Sequence, residues 1–276
     1  MELVTQQGLS RYSAPYCWRL IATALSFALF GIGGVLLRVL VFPLLALLPG
    51  DSLTQRTRAR LVVSKTFRMF VKFMYHSGVL TYSVEGVERL GRPGQMVIAN
   101  HPSLIDVVVL IAFIRDANCV VKQSLWDNPC MRGPIRAAQF ISNSGSMDML
   151  DEAAEALRSG QTLIIFPEGT RTQPGQAPQF HRGAAAIALR GARVVTPVVI
   201  SVTPTTLTKA EPWYSIPSRR FHFNLQVGED IDPQQFNALG PAPVASRKLN
   251  DHLHHYFMKE LATDERSTTG NQNPDY

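Results

Sequence analysis

Apolar residues fill positions 20–48 almost without interruption: the stretch holds one charge, Arg38, and one helix breaker, Pro43. A fully helical run of that length reaches about 43 Å, beyond the ~30 Å of bilayer hydrocarbon. It must tilt, break or re-enter, and Arg38 and the cluster Gly31, Gly33, Gly34 are the break points on offer. The run is too long for the apolar core of a secretory signal, and nothing after it looks cleavable. No strand pattern precedes the glycines, so they fit small-residue helix packing rather than a dinucleotide fingerprint. After Pro49-Gly50 the pattern changes. Val63, Phe67, Phe70 and Met74 recur at helical spacing, and Arg58, Lys65, Arg68 and Lys72 gather on another face. A basic amphipathic helix directly after a membrane segment predicts a helix lying on an anionic membrane surface, with this flank cytoplasmic.

Beyond about Tyr82 short apolar strands alternate with helical periods. Strands are predicted at 95–99, 119–121, 162–166, 194–200 and 220–227, the last with Phe221, Phe223, Leu225 and Val227 on one side. Helices are predicted at 103–114, 148–158, 183–190 and 250–261; Gly160 and Gly191 serve as stops. The alternation predicts an α/β fold: a single catalytic domain with a mixed, mostly parallel sheet flanked by helices, plus an N-terminal membrane-embedded helical anchor. The expected divisions are an N-terminal tail at 1–17, the anchor and basic helix at 18–76, the catalytic domain at 77–262, and a frayed polar tail at 263–276.

Composition sharpens this reading in two ways. A net charge of +6 among 276 residues favours anionic partners. No recognition module for nucleic acid is evident, so membrane lipids are the expected anionic partner and no nucleic-acid partner is expected. The cysteines Cys17, Cys119 and Cys130 form no C-x-x-C pair and no zinc spacing, and read as buried or idle thiols.

Two segments carry chemistry. In NHPSLID, His101 precedes Asp106 by five residues, a spacing that rotates the second side chain by about 140° on a regular helix. The two meet only if the helix begins between them. Pro102 suits a first helical position and Ser103 the same entry region. His101 can then fold back over the first turn, with Asp106 orienting its ring as half of a general-base device. In FPEGTRT, a predicted strand ends in a Pro-Glu-Gly break that exposes Gly169 and Thr170 backbone and presents Glu168 and Arg171 close together. Loops at strand C-termini are where α/β sheets build sites, and an arginine fork suits a phosphate. His252, His254 and His255 offer no three-ligand face, so no metal is expected. Asp148 and Asp151 fit the start of a helix, where they serve its dipole. No Gly-x-Ser-x-Gly elbow and no P-loop is present.

Together, NHPSLID and FPEGTRT resemble the glycerolipid and lysophospholipid acyltransferase family, typified by the 1-acylglycerol-3-phosphate O-acyltransferases. Its signature is H-x-x-x-x-D followed some sixty to seventy residues later by a Phe-Pro-Glu-Gly-Thr block. FHRGAAAIALRGARVVTPVVI is similar to the family's continuation, and the resemblance covers residues 85–232. It implies an O-acyltransferase of phospholipid biosynthesis. His101 would deprotonate an acceptor hydroxyl that attacks an acyl thioester, and Asp106 would orient the histidine. Glu168, Gly169, Thr170 and Arg171 would form the acceptor and phosphate site. No cofactor stays bound; acyl-CoA or acyl carrier protein (acyl-ACP) is the co-substrate. The implied location is a membrane, the bacterial inner membrane, with the catalytic domain on its cytoplasmic face.

One departure bears on the acceptor. The family commonly carries Gly-x-x-Phe-Ile-x-Arg between its signatures; here Phe140 and Ile141 match, but Ala137 and Asn143 replace the glycine and the arginine. A neutral amide supplies no charge. Either Arg132 or Arg136 substitutes, or the acceptor is a different lipid, such as a lyso-aminolipid or another specialised lipid. Thioester or lipid hydrolysis, with water in the acceptor's place, is the competing enzymatic reading. A membrane scaffold is the non-enzymatic one, and it has no use for His101, Asp106 and Glu168.

Overall fold

The structure, a computed structural model, describes residues 14–270 apart from Ala210. The apolar run begins as helix α1 (Ala14–Leu36) and passes through a π-helical segment (Leu37–Val41) into α2 (Phe42–Ala46). The expected interruption is therefore a local widening at Arg38, just before Pro43, and the helix passes through all three glycines. A proline at the second position of α2 cannot donate back to the preceding turn, and a π-bulge is a common way to absorb that loss. Pro15–Ala46 is long and apolar enough to cross a membrane by length and composition.

Helix α3 (Ser52–His76) starts where Asp51 accepts a hydrogen bond from Thr54 N at 2.8 Å. Its stripe of Val63, Phe67, Val71 and Met74 is buried. The expected basic face divides. Arg68 donates twice to the carbonyl of Ala112, at 3.0 and 2.9 Å, and Arg58 to that of Pro49 at 2.8 Å. Lys65 and Lys72 alone of the four are exposed; the arginines are drawn in by backbone carbonyls that lack other donors. Arg60 is buried, bonding the Ala138 carbonyl at 2.8 Å and lying 3.5 Å from Asp116.

The remaining elements are β1 (Leu80–Glu85), β2 (Gln95–Ala99), α4 (Asp106–Phe113), β3 (Ala117–Lys122), α5 (Arg132–Ala137), β4 (Ile141–Asn143), α6 (Met147–Arg158), β5 (Thr162–Ile165), α7 (Gly183–Gly191), β6 (Val194–Thr203), β7 (Phe221–Val227), α8 (Gln234–Asn237) and α9 (Ala242–Gly270). The seven strands form one sheet in the order β1-β7-β6-β2-β5-β3-β4. Every pairing is parallel except β6 with β7, so the sheet is mixed and mostly parallel, as the alternation predicts. Side chains alternate across it. Val97 and Ala99 of β2 join Val63, Phe67, Leu110 and Phe223 on one face. Met96 and Ile98 join Leu157, Ile187, Leu249 and Phe257 on the other. Helices α1, α3 and α4 cover the first face; α6, α7 and α9 cover the second.

Two boundaries depart from the sequence reading. Helix α9 is longer than 250–261 on both sides, so the polar stretch from Thr263 is helical as far as Gly270. A helix already nucleated by its packed turns propagates cheaply into residues such as Ala262, Glu265 and Arg266. At the other end α1 already includes residues 14–17, assigned to the N-terminal tail; residues 1–13 and 271–276 lie outside the described residues.

Candidate active site

Strands β2, β3, β4, β5 and β6 all run the same way, so their C-terminal ends share one edge of the sheet, the edge where α/β folds place their sites. His101 leaves β2 there. The register is held by Asn100, whose buried side-chain amide donates to the Ile200 carbonyl at 2.8 Å and accepts from Ile200 N at 2.7 Å. Pro102 and Ser103 sit in a turn and α4 starts only at Asp106, so the expected proline at the first helical position is not observed. The helix does begin between the two motif residues, and the reason lies in the carboxylate. Asp106 Oδ2 accepts from the backbone N–H of Ser103 at 2.8 Å and lies 2.7 Å from His101 Nδ1. One oxygen thus closes the turn and holds the ring. Asp106 is fully buried, and burial pushes its carboxyl upward, opposed by its bonds to His101 and Ser103. An acceptor on Nδ1 keeps the proton there and leaves Nε2 as the free base. The ring also packs on Phe166, centroids 4.4 Å apart.

The FPEGTRT loop leaves β5 beside it. Phe166–Gly169 is a turn closed by a 3.1 Å bond from Gly169 N to the Phe166 carbonyl, and Gly169 takes φ +66°, a left-handed value that a side chain disfavours. Glu168 points inward. It accepts from His101 N at 2.9 Å and from the Thr172 hydroxyl, and Thr172 N in turn donates to the His101 carbonyl at 3.1 Å. Burial raises the Glu168 carboxyl above its ordinary range. One of its oxygens thus holds the histidine backbone and the other holds Thr172. Arg171 Nη1 donates to the carbonyls of Leu207 and Thr208, at 2.8 and 3.1 Å, which fixes the guanidinium in the wall of the site.

That wall belongs to a cavity of about 520 Å³ between α1, α3, α4 and the sheet, lined by aromatic and aliphatic side chains such as Phe27, Phe30, Phe67 and Ile111 and by His101, Gly169, Thr170 and Arg171. Its cations are Arg19, Lys122, Arg171, Lys209 and Arg219. Neither Arg132 nor Arg136 lines it, which corrects the expectation that one of them replaces the missing arginine. Both lie on α5, where Arg136 faces solvent. Lys122 stands instead in register with Asn143, and both line the cavity. Its signal, a cation on the exit of a predicted strand, was present in the sequence. The loop of Leu207 and Thr208 left none.

Other residues singled out in the sequence serve packing. Asp148 lies in the first turn of α6, capped by Ser146, and Asp151 pairs with Arg190 of α7 at 2.8 Å. His254 bonds the Pro178 carbonyl at 3.0 Å and the His252 ring lies tilted against Phe236, centroids 5.4 Å apart. Among the described residues no group of three His, Cys, Asp or Glu side chains could hold a metal ion. Cys119 is buried, and burial pushes its thiol up to about 12, which makes it inert.

Comparison with known proteins agrees with this geometry. A family model described as Acyltransferase matches residues 81–201, which include both motifs. A 1-acyl-sn-glycerol-3-phosphate acyltransferase of Pseudomonas aeruginosa is 26% identical over 213 residues, covering 75% of this chain and 79% of that one. One of Saccharomyces cerevisiae is 28% identical over 171 residues, covering 58% of this chain and 54% of that one. The chain thus spans most of the bacterial relative and about half of the yeast one. The crystal structure of a 1-acyl-sn-glycerophosphate acyltransferase from Thermotoga maritima shares the fold with a TM-score of 0.69 at 22% identity, covering 90% of this chain and 98% of that one. With the histidine and the aspartate of H-x-x-x-x-D in contact at the C-terminal edge of a matching sheet, residues 81–201 carry an acyltransferase domain similar to those of the 1-acyl-sn-glycerol-3-phosphate acyltransferases.

Proposed function

We propose that the enzyme transfers an acyl chain from an acyl thioester, on coenzyme A or acyl carrier protein, to the free hydroxyl of a lysophospholipid. The observation that carries this reading is the His101–Asp106 pair at 2.7 Å, opening onto an apolar cavity that also carries cations. Nε2 of His101 takes the proton of the acceptor hydroxyl as its oxygen attacks the thioester carbonyl. The tetrahedral intermediate collapses by breaking the carbon–sulfur bond, the imidazolium returns its proton to the departing thiolate, and an ester and a free thiol leave. Asp106 fixes the tautomer and steadies the imidazolium. Phe30, Phe67 and Ile111 suit acyl chains, and Lys122 and Arg171 suit an anionic head group.

The relatives named as acting on 1-acyl-sn-glycerol 3-phosphate support lysophosphatidate as the acceptor, and Lys122 restores a charge beside Asn143. Asn143 itself favours a second reading, a lysolipid whose head group is larger or zwitterionic, such as a lyso-aminolipid.

We further infer attachment to the cytoplasmic face of a membrane, the inner membrane in a bacterium. One face of the N-terminal helix is sealed against the domain: Ala22 and Ser26 are buried, Phe30 stacks on Phe67, and Gly34 abuts the Cys130 carbonyl. The other face exposes Ile21, Leu25, Leu29, Ile32 and Leu36. A helix sealed on one side and apolar on the other suits immersion alongside the domain better than an isolated span.

The test is incubation of membranes with labelled palmitoyl thioesters of both carriers and a panel of lysolipids. Label should enter a diacyl product only when a lysolipid is supplied; release of free fatty acid regardless of acceptor would replace transfer with hydrolysis. Lys122→Ala should raise the acceptor's KM about 10- to 150-fold and leave the donor's near wild type, since a charge-assisted bond contributes roughly 1.5–3 kcal/mol.

A further inference from the structure

A second cavity of about 410 Å³ adjoins the first, and His101 and Thr206 line both. It lies between the FPEGTRT loop, the outgoing end of β6 and the last turns of α9, where Leu261 and Asp264 contribute to its wall. Its volume falls within the roughly 300–1,000 Å³ of small-molecule sites. Its chemistry differs sharply from that of its neighbour. Thr172, Gln173, Gln176, Ser201, Thr203 and Thr205 supply hydroxyls and amides that both donate and accept. Among the described residues lining it there is no lysine or arginine, and the ionisable ones besides His101 are the acids Glu168 and Asp264.

These two linings divide the reactants. The acyl chains need apolar walls and an acceptor phosphate needs cations; both are found in the first cavity. A phosphate in the second would face the carboxylates of Glu168 and Asp264 and find no lysine or arginine among the described lining residues to hold it, an unfavourable burial. What remains is the neutral, amide-rich arm that carries the thioester. We propose that the 4′-phosphopantetheine arm of the acyl donor, common to coenzyme A and acyl carrier protein, threads the polar cleft, its amides on the threonine and glutamine side chains and its terminal phosphate outside. The thioester is then delivered to His101 from the side opposite the acceptor. This placement rests on the acyl-transfer reading and specifies its donor side. It also uses the turn of α9 at Asp264, which pattern alone assigns to a frayed tail.

The test blocks the cleft from its exposed rim, with Gln176→Trp and Thr205→Trp, and compares long and truncated donors. Each variant should raise KM for the full-length donor at least tenfold, with whichever of acyl-CoA and acyl-ACP wild type uses better; that preference identifies the carrier. KM for the acceptor, and transfer from an acyl N-acetylcysteamine thioester that lacks most of the arm, should stay within about twofold, which also shows that the variant is folded. An unchanged donor KM, or a rise in acceptor KM instead, overturns the proposal. Should either tryptophan prevent folding, Gln173→Cys gives a second reading: desulfo-coenzyme A should slow its modification by a charged thiol reagent and glycerol 3-phosphate should not. No slowing by desulfo-coenzyme A, or slowing by glycerol 3-phosphate alone, rejects it. Wild-type membranes that transfer no acyl group to any lysolipid would sink acyl transfer itself, a failure distinct from that of the cleft.

Discussion

At the scale of single residues, the site depends on two buried carboxylates with different duties. Asp106 touches the ring of the proposed base, whereas Glu168 bonds the backbone N–H that carries that ring and the Thr172 hydroxyl. His101→Ala should lower the transfer rate about 10²–10⁴-fold with membrane attachment intact. Asp106→Asn should be severe too, because an amide can leave the ring in the wrong tautomer; wild-type rates in either variant would remove the pair from the mechanism. Glu168 shows itself in stability. Burial raises its folded pKa above the ordinary value of 4.5, so the folded protein holds the proton longer than the unfolded chain. Stability from this group is then fully present below about 4.5 and declines as pH rises through the folded value, by about 1.4 kcal/mol per unit of elevation. Glu168→Gln should flatten that decline. The thermal midpoints of wild type and variant, followed from pH 4.5 to 7.5 in detergent, should move in the variant's favour; movement the other way would mean that the hydrogen bonds outweigh burial.

Among the elements, the N-terminal helix makes the sharpest prediction, because neighbouring glycines meet different surroundings. A Cβ at Gly33 would find nothing within 4 Å, whereas one at Gly34 would collide with the Cys130 carbonyl. Gly33→Ala should therefore be neutral or stabilising by up to about 1 kcal/mol, the difference in helix propensity. Gly34→Ala should destabilise by about 1–3 kcal/mol, the usual consequence of overpacking. Thermal melts of the two variants should shift in opposite directions, and equal shifts would mean that the helix does not pack on the Cys130 loop. Arg60 belongs to the same scale. Burial pulls its guanidinium down to about 10, and it ties α3 to the end of α5 through the Ala138 carbonyl. The anchor helices are thereby joined to the catalytic domain by polar bonds as well as by apolar packing.

For the whole molecule, the question is what holds the enzyme to lipid. Apolar burial is not screened by salt, while attraction through Lys65 and Lys72 is. Membrane-bound protein should resist washing at 1 M salt and should be lost from membranes when residues 20–48 are deleted. Quantitative blotting of the pellet and supernatant reads both; release of the intact protein by salt would reduce the anchor to electrostatic adhesion. The same arrangement aligns three surfaces along the catalytic edge: the exposed apolar face of the N-terminal helix, an apolar cavity with cations, and a polar cleft with no lysine or arginine among its described lining residues.

By itself the sequence determined whatever local chemistry encodes. Period-two and helical patterns located most of the elements, because burial of one face forces that spacing. The five-residue spacing of His101 and Asp106 required a helix start between them, because a continuous helix would part them. Short or edge elements were the ones missed: three-residue β4 is too brief for a period, and β1 is largely half-buried and lacks a clean alternation. Tertiary structure decided which side chain answers which partner. Arg68 reads as a membrane-facing cation until Ala112 is placed beside it, and the bond of Glu168 to the His101 N–H appears only when β5 lies beside β2. Lys122 acquires its position only when β3 and β4 pair, and Asp264 only when α9 closes over the FPEGTRT loop. A sequence pattern records the periodicity of burial along one element. It does not record which distant backbone group will lie across from a charge, and that juxtaposition sets where a charge is used.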